Sequence, residues 1–329
     1  MFSLSRFLFL CSLPLTLLAE IYYTDESPIV PTYEETPSYE TDDAVAWVGP
    51  SDFDYPVPNF FTLRVDYENI FPGHLKMQVV GNDDAVGLSE LNVVASYTKT
   101  FCGKEGIAFG VGYTRAHLDW APNLFFAQQE YNNLDLSISG MTDRFGNLEI
   151  KGAVSASLDL SNWDPGGSTF YTITGWGRYA YGCWCGEPIG WNLGATARTG
   201  LKHDLLYPIV GIDFYATPRV KVNFIFPVDM VIGYKINDCW TAELAGKIWN
   251  TRRRVGPNEP FAKGYWEYRN SGIELGVRYQ YFPIAEAGVH VGSTLGNGEL
   301  RVSNSSDQAV SEFDLHSSMY VGGEAQIRF

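Results

Sequence analysis

The sequence predicts an all-β fold, a transmembrane antiparallel β-barrel of about fourteen strands, with about twelve to sixteen compatible with the pattern. Three observations predict it. From Asn59 onward the chain is a succession of roughly ten-residue segments in which apolar and polar residues alternate, punctuated by Gly, Pro, Asn and Asp. A membrane-crossing strand needs about 9 to 11 residues, which most of these segments supply. Aromatic residues gather near the segment ends, and no helical 3.6 period is sustained beyond the first 19 residues.

Residues 1–19 carry one positive charge at Arg6 and an apolar run from Phe7 to Leu18, followed by Ala19. This reads as a secretory signal peptide; the run is too short for a membrane-spanning helix of about 20 residues. Residues 20–58 change character. They hold ten acids, no Lys or Arg and six prolines. A segment of that kind buries too little apolar surface to offset its chain entropy, so a largely disordered acidic N-terminal segment is expected. The formal net charge of −15 therefore belongs mostly to this segment and not to the barrel of residues 59–329.

Strands are expected near 59–67, 73–81, 89–101, 106–117, 131–142, 147–160, 168–181, 189–201, 207–216, 219–226, 229–236, 240–250, 270–282, 284–295 and 315–329. The alternation is plainest in LEIKGAVSASLDL. There Leu148, Ile150, Val154, Ala156, Leu158 and Leu160 share one face, and Glu149, Lys151, Ser155, Ser157 and Asp159 the other. A soluble sandwich would turn the apolar face inward. A membrane barrel turns it to lipid and lines a lumen with the polar face. Aromatics such as Tyr67, Tyr97, Trp120, Tyr181, Trp191, Trp240, Trp249 and Tyr281 at strand ends favour the barrel, as girdles at the two interfaces. So do Gly110, Gly112, Gly175 and Gly177 within strands.

Long and short connections alternate along the chain. Long ones fall at 251–269, which contains Arg252-Arg253-Arg254, and at 296–314; short ones contain CGKE, DRFGN, CWCGEP, ATP, NDC and FPIA. Bacterial barrels show short periplasmic turns and longer outer loops. Pro227-Val228 is too tight for an outer loop. The count of segments is also odd where single-chain bacterial barrels are even. The expectation is therefore fourteen, with either 59–67 not a wall strand or a strand missing near Ala44–Val48.

No phosphate loop, zinc spacing or nucleophile elbow is present, and the five histidines are scattered. His117 with Asp119, or His203 with Asp204, could serve a rim enzyme, but a triad is recognised by geometry and the pattern supplies none. No enzyme activity and no cofactor, metal or nucleic acid is expected. Parity places Glu149, Lys151, Asp159, Glu243, Lys247, Glu274, Arg278, Glu324 and Arg328 in the lumen. With both signs present no strong ion selectivity follows, although Glu274→Lys or Arg278→Glu should shift it. The arginine run on its loop would suit anionic lipopolysaccharide or a glycan, or simply be a solvated loop.

The last strand places Val321, Ala325, Ile327 and Phe329 on one face, with Gly322, Glu324, Gln326 and Arg328 between. This resembles the closing strand of Gram-negative outer-membrane β-barrel proteins. The resemblance implies location in the bacterial outer membrane, contact with its lipid, and the barrel-assembly machinery as a partner that reads those four residues. It also implies that the rim bearing Phe329 is periplasmic. The segment VGIDFYATPRVKVNFIFPVDMVIGYKINDCW, residues 210–240, is similar to a hairpin pattern of uncharacterised bacterial outer-membrane proteins.

Beyond the signal peptide lie four cysteines, Cys102, Cys183, Cys185 and Cys239. In an exported chain disulfides are the better reading than a metal site. Signal peptide, aromatic-rich barrel, turn cysteines and terminal Phe together resemble chlamydial-type outer-membrane proteins, whose envelopes are cross-linked through cysteines. That resemblance makes periplasmic cysteine-rich envelope proteins expected partners. The three cysteine-bearing turns are separated by even numbers of strands and so share one side of the membrane, too far apart on the rim to join one another. Pairing of Cys102 and Cys239 with other chains is expected. The function implied is porin-like passive diffusion or a structural envelope role. A rim lipase or protease, and an adhesin acting through long outer loops, are the alternatives.

Overall fold

A strand in a membrane must pair its backbone on both edges, because lipid offers no hydrogen-bond partner. The chain meets this demand by closing. The computed structural model describes residues 59–75, 85–101, 105–121, 123–161, 167–202, 204–281 and 284–329; the signal-peptide and acidic segments and Cys102 lie outside these. Sixteen strands form among them: β1 (Asn59–His74), β2 (Ala85–Thr100), β3 (Gly106–Ala121), β4 (Glu130–Phe145), β5 (Leu148–Asp159), β6 (Thr169–Trp184), β7 (Glu187–Gly200), β8 (Leu205–Thr217), β9 (Val220–Phe226), β10 (Asp229–Lys235), β11 (Trp240–Arg254), β12 (Tyr265–Tyr281), β13 (Ala285–Thr294), β14 (Glu299–Ser303), β15 (Ala309–Asp314) and β16 (Met319–Arg328).

β1 to β13 pair antiparallel in chain order, and β16 fits between β13 and β1. That makes a closed fourteen-stranded antiparallel barrel. The remaining two strands, β14 and β15, form a hairpin added to β12 beyond the end of β13. At the closure Leu63 faces Ile327 and Asp66 faces Glu324.

The period of two now has its physical partition. Along β3, Ala108, Thr114, Ala116, Leu118 and Trp120 are buried on the lumen side, while Ile107, Phe109, Val111 and Tyr113 are exposed on the outer side. The outer face continues as Leu63, Ile138, Val154, Ile173, Leu193, Val210, Leu275, Val289 and Ile327, all exposed and apolar. Water would not tolerate such a band, so it is the lipid-facing surface of an integral outer-membrane barrel. Phe61, Phe101, Phe145, Tyr181, Trp184, Trp191, Trp240, Tyr281 and Phe329 ring the end that carries Asn59 and Phe329. Their rings suit the polar-apolar boundary there. We call this end the terminal rim and the opposite one the loop rim.

Several sequence expectations are corrected. Among the described residues, the segment 59–67 and the start of 73–81 form one strand: β1 runs unbroken from Asn59 to His74, and the described wall has fourteen strands. The stretch 251–269 is not all loop, since β11 extends to Arg254 and β12 begins at Tyr265. Within 296–314 lies the β14–β15 hairpin. Trp120 and Trp249 belong to no girdle but are buried in the interior. No disulfide joins the described cysteines: Cys183, Cys185 and Cys239 are free and exposed at the terminal rim, Cys183 at the end of β6, Cys185 on the β6–β7 connection and Cys239 on the β10–β11 connection.

Candidate functional site within the barrel lumen

The interior is shaped by a mismatch in strand length. β9 and β10 have only seven residues each, joined by the tight Pro227-Val228 turn. The β10–β11 register ends at Val231 opposite Ala245, so the rest of β11 runs on without that neighbour. β13 stops at Thr294, opposite Gly272, and β12 above it pairs with β14 instead. The upper parts of β11 and β12 with β14 and β15 are thus a four-stranded sheet released from the wall on one side. It turns into the lumen.

Burial on both faces shows this. In the lower parts of β11 and β12 exposed and buried residues alternate; in Thr251–Val255 and Tyr265–Tyr268 every residue is buried. One face of the inner sheet carries Trp249, Thr251, Arg253, Trp266, Tyr268, Leu300, Val302 and Phe313, packed with Ile70, Leu88, Leu118, Trp120 and Tyr131 of β1 to β4. Ring centroids of Trp120 and Phe313 are 5.5 Å apart, those of Tyr131 and Trp266 5.1 Å. Thr251 Oγ1 donates to Glu90 Oε1 on β2 at 3.1 Å.

The opposite face meets β6, β7 and β8. Arg252 lies over the Tyr265 ring, pairs with Glu267 at 3.2 Å and Asp307 at 2.6 Å, and donates to the Leu201 carbonyl at 3.0 Å. Asn250 Nδ2 donates to the Tyr207 hydroxyl at 2.7 Å, and Phe170, Leu201 and Tyr265 pack together. Connections at the loop rim fasten the arrangement: Gln128 accepts from Gly256 N at 2.8 Å, Glu259 accepts from Ala127 N at 2.7 Å, and the rings of Phe125 and Phe261 lie 5.5 Å apart. The arginine run is therefore neither a solvated loop nor a surface for glycans.

Toward the terminal rim the lumen is polar. Arg278 is its hub, with Glu324 at 2.5 Å, Glu243 at 3.2 Å and Glu286 at 3.6 Å. Arg328 joins Glu286 at 3.1 Å, and Arg64 joins Asp66 at 3.0 Å and Glu324 at 3.5 Å. Lys247 of β11 reaches Glu68 of β1, and Glu274 of β12 lies 3.7 Å from His290 of β13. On the far wall Glu149 and Lys151 are 3.7 Å apart, and Asp159 accepts from Ser161 N at 2.8 Å. A second cluster joins Arg178 bidentately to Asp213, which also accepts from Asn192 at 2.8 Å. The nine lumen candidates thus divide: Glu243, Glu274, Arg278, Glu324, Arg328 and Lys247 converge, while Glu149, Lys151 and Asp159 lie apart on β5.

Sequence reasoning missed Glu68, Glu90, Glu267, Glu286 and His290. A signal existed in NTRRRV and YWEYRN: polar or aromatic residues occupy both parities there, so neither face can look at lipid. Val321, Ala325, Ile327 and Phe329 lie on the outer face at the β1–β16 seam. His117 Nδ1 lies 3.2 Å from Glu130 Oε1, and His203 is outside the described residues.

No family model matches the chain. It is similar to an uncharacterised protein of Chlamydia pneumoniae, 23% identical over 289 residues, covering 83% of this chain and 89% of the relative. A second uncharacterised protein, from Chlamydia trachomatis, is 21% identical over 209 residues, covering 62% and 64%. Among solved structures, a TodX monoaromatic hydrocarbon channel mutant aligns with TM-score 0.44 and 11% identity over 90% of this chain and 96% of that one. An outer membrane channel from Pseudomonas putida F1 aligns with TM-score 0.44 and 9% identity, over 86% and 100%. The barrel itself is read from this chain's own strand pairing.

Proposed function

We propose that this barrel is a gated diffusion channel of the outer membrane, closed in the conformation described, and not a permanently open pore. The observation that carries the reading is the inner sheet. A general-diffusion barrel keeps a continuous water-filled lumen. Here β11, β12, β14 and β15 fill the half toward the loop rim with dry aromatic contacts on one face and ion pairs on the other. The polar half toward the terminal rim is a vestibule lined by both signs of charge, suited to hydrated solutes. Passage requires the inner sheet to move, and the edge of upper β11 that runs on without a backbone partner beyond the short β9–β10 hairpin is the place where it can. Burial of Arg252–Arg254, and of Leu300, Val302 and Phe313 in the hairpin inside 296–314, weakens the adhesin alternative, which relied on those stretches being long outer loops.

Planar-bilayer recording of the refolded protein tests this. Wild type should show rare, small openings, and a variant in which residues 297–316 are replaced by a short Gly-Ser turn should conduct steadily. Wide, steady conductance in wild type would overturn the gate. Silence in both would favour a purely structural barrel.

A further inference from the structure

Between the dry half of the lumen and the polar half, Glu68 of β1, Glu274 of β12 and His290 of β13 each direct one ligand atom to a common point. The three atoms lie within 4.8 Å of one another. These strands are not consecutive, so closure of the barrel makes the cluster. Glu274 is 3% exposed and the His290 side chain 9%. His290 Nε2 is buried, has no hydrogen-bond partner among the described residues, and points at Glu274 Oε2, 3.7 Å away. A buried imidazole nitrogen left in that state is costly unless something binds it.

The wall beneath is cut to bring these groups together. Gly322 faces both His290 and Glu68 across the ladder, Gly292 faces Glu274, and Gly276 faces His290 on its other side. A Cβ at Gly322 would overlap the imidazole of His290, and one at Gly292 would overlap the Tyr320 ring. His290 therefore leans over the bare backbone of Gly322, and the Tyr320 ring over that of Gly292. Glycine in a strand interior commonly marks such a close approach.

From this geometry we propose a divalent transition-metal site formed by Glu68, Glu274 and His290. Two carboxylates and one imidazole suit Zn²⁺ or Mn²⁺ better than Ca²⁺ or Mg²⁺, which prefer oxygen-only shells. Bound ligand atoms in such a site lie about 3 to 3.5 Å apart, a distance reached by small side-chain rotations from the present spacing. Lys247 pairs with Glu68 and supplies the competing cation. Metal entry displaces its ammonium from that carboxylate. The site does not depend on the channel reading, because binding is measured without conduction.

The test uses the full chain refolded in detergent, stripped with chelator and titrated calorimetrically with Zn²⁺. Wild type should take up one equivalent, Glu274→Gln and His290→Gln should each weaken binding at least tenfold, and Lys247→Met should tighten it. His316→Gln, an exposed residue of a distant connection, should leave it unchanged. Heat-modifiable migration checks that each variant is folded; if Glu274→Gln is not, His290→Gln alone decides. Absence of stoichiometric uptake in both wild type and Lys247→Met, or uptake that survives His290→Gln, would overturn the site.

Discussion

Arg253 on β11 meets Glu90 on β2 across the lumen, Nη2 to Oε1 at 3.6 Å, with both side chains almost fully buried. These strands are far apart around the wall, so the pair exists only because the inner sheet has crossed to the opposite side. Taking one partner from a buried pair leaves an uncompensated charge, at a cost of about 3–5 kcal/mol. Arg253→Met should therefore lower the temperature of heat-modifiable unfolding sharply. The double variant Glu90→Leu with Arg253→Met should recover most of the loss, as apolar replacement of a whole buried pair often does. A double variant no better than the single one would show that packing, and not charge, dominates at this position.

The polar vestibule changes what charge reversal can report. From parity alone, Arg278→Glu is expected to shift ion selectivity. In the structure Arg278 neutralises Glu243, Glu286 and Glu324 together, so its reversal places four carboxylates in one cluster. The expected outcome is poor refolding, read as loss of the compact band on unheated gels. Normal folding with an altered reversal potential would show that water screens the cluster well.

Much of this architecture was legible because lipid and lumen impose opposite chemistry on alternate residues. Outward Ile107, Phe109 and Val111 and inward Ala108 and Thr114 are assigned correctly by parity alone. The expected fourteen strands are the number that closes the wall, but the surplus segment is resolved at β1, where 59–67 and the start of 73–81 belong to one continuous strand. The inner sheet was hidden for a different reason. Arg252, Arg253 and Arg254 look like a solvated run in one dimension, because nothing local shows that Glu267 and Glu90 from other strands, and Asp307 from the β14–β15 turn, come to meet them. Convergence of Glu68, Glu274 and His290 is likewise a product of closure, with only the glycines at 276, 292 and 322 as a local trace.

Cys183, Cys185 and Cys239 are free and exposed on the terminal rim. Cys185 Sγ lies 3.2 Å from the Ala216 carbonyl, and Cys239 N donates to Asn237 Oδ1 at 2.9 Å, contacts that fix the turns without burying the thiols. An impermeant maleimide should label all three in the refolded protein. In cells, labelling should require a permeabilised outer membrane if this rim is periplasmic. Labelling of intact cells would invert that orientation. On non-reducing gels of whole envelopes, high-mass species that collapse on reduction would establish cross-links to other envelope proteins, whereas a monomer in both lanes would exclude them.

The seam between β1 and β16 is the step that turns an open sheet into a barrel. It ends in a reciprocal pair: Phe61 N donates to the Phe329 carbonyl at 2.7 Å, and Phe329 N donates to the Phe61 carbonyl at 2.9 Å. Their rings stack with centroids 6.2 Å apart, and Phe61 also packs on Tyr97 at 4.9 Å, so three outer-face aromatics cover the join. Deleting Phe329 removes both hydrogen bonds and leaves backbone groups of β1 facing the interface, where an unmet pairing is costly. Phe329→Ala keeps the backbone pair and removes only the ring. Deletion should therefore slow folding into lipid vesicles by much more than the alanine change, measured as the rate at which the heat-modifiable band appears. Equal slowing by the two variants would mean that the ring, and not the closing hydrogen bonds, governs the seam; no effect from either would show that closure is complete without the last residue.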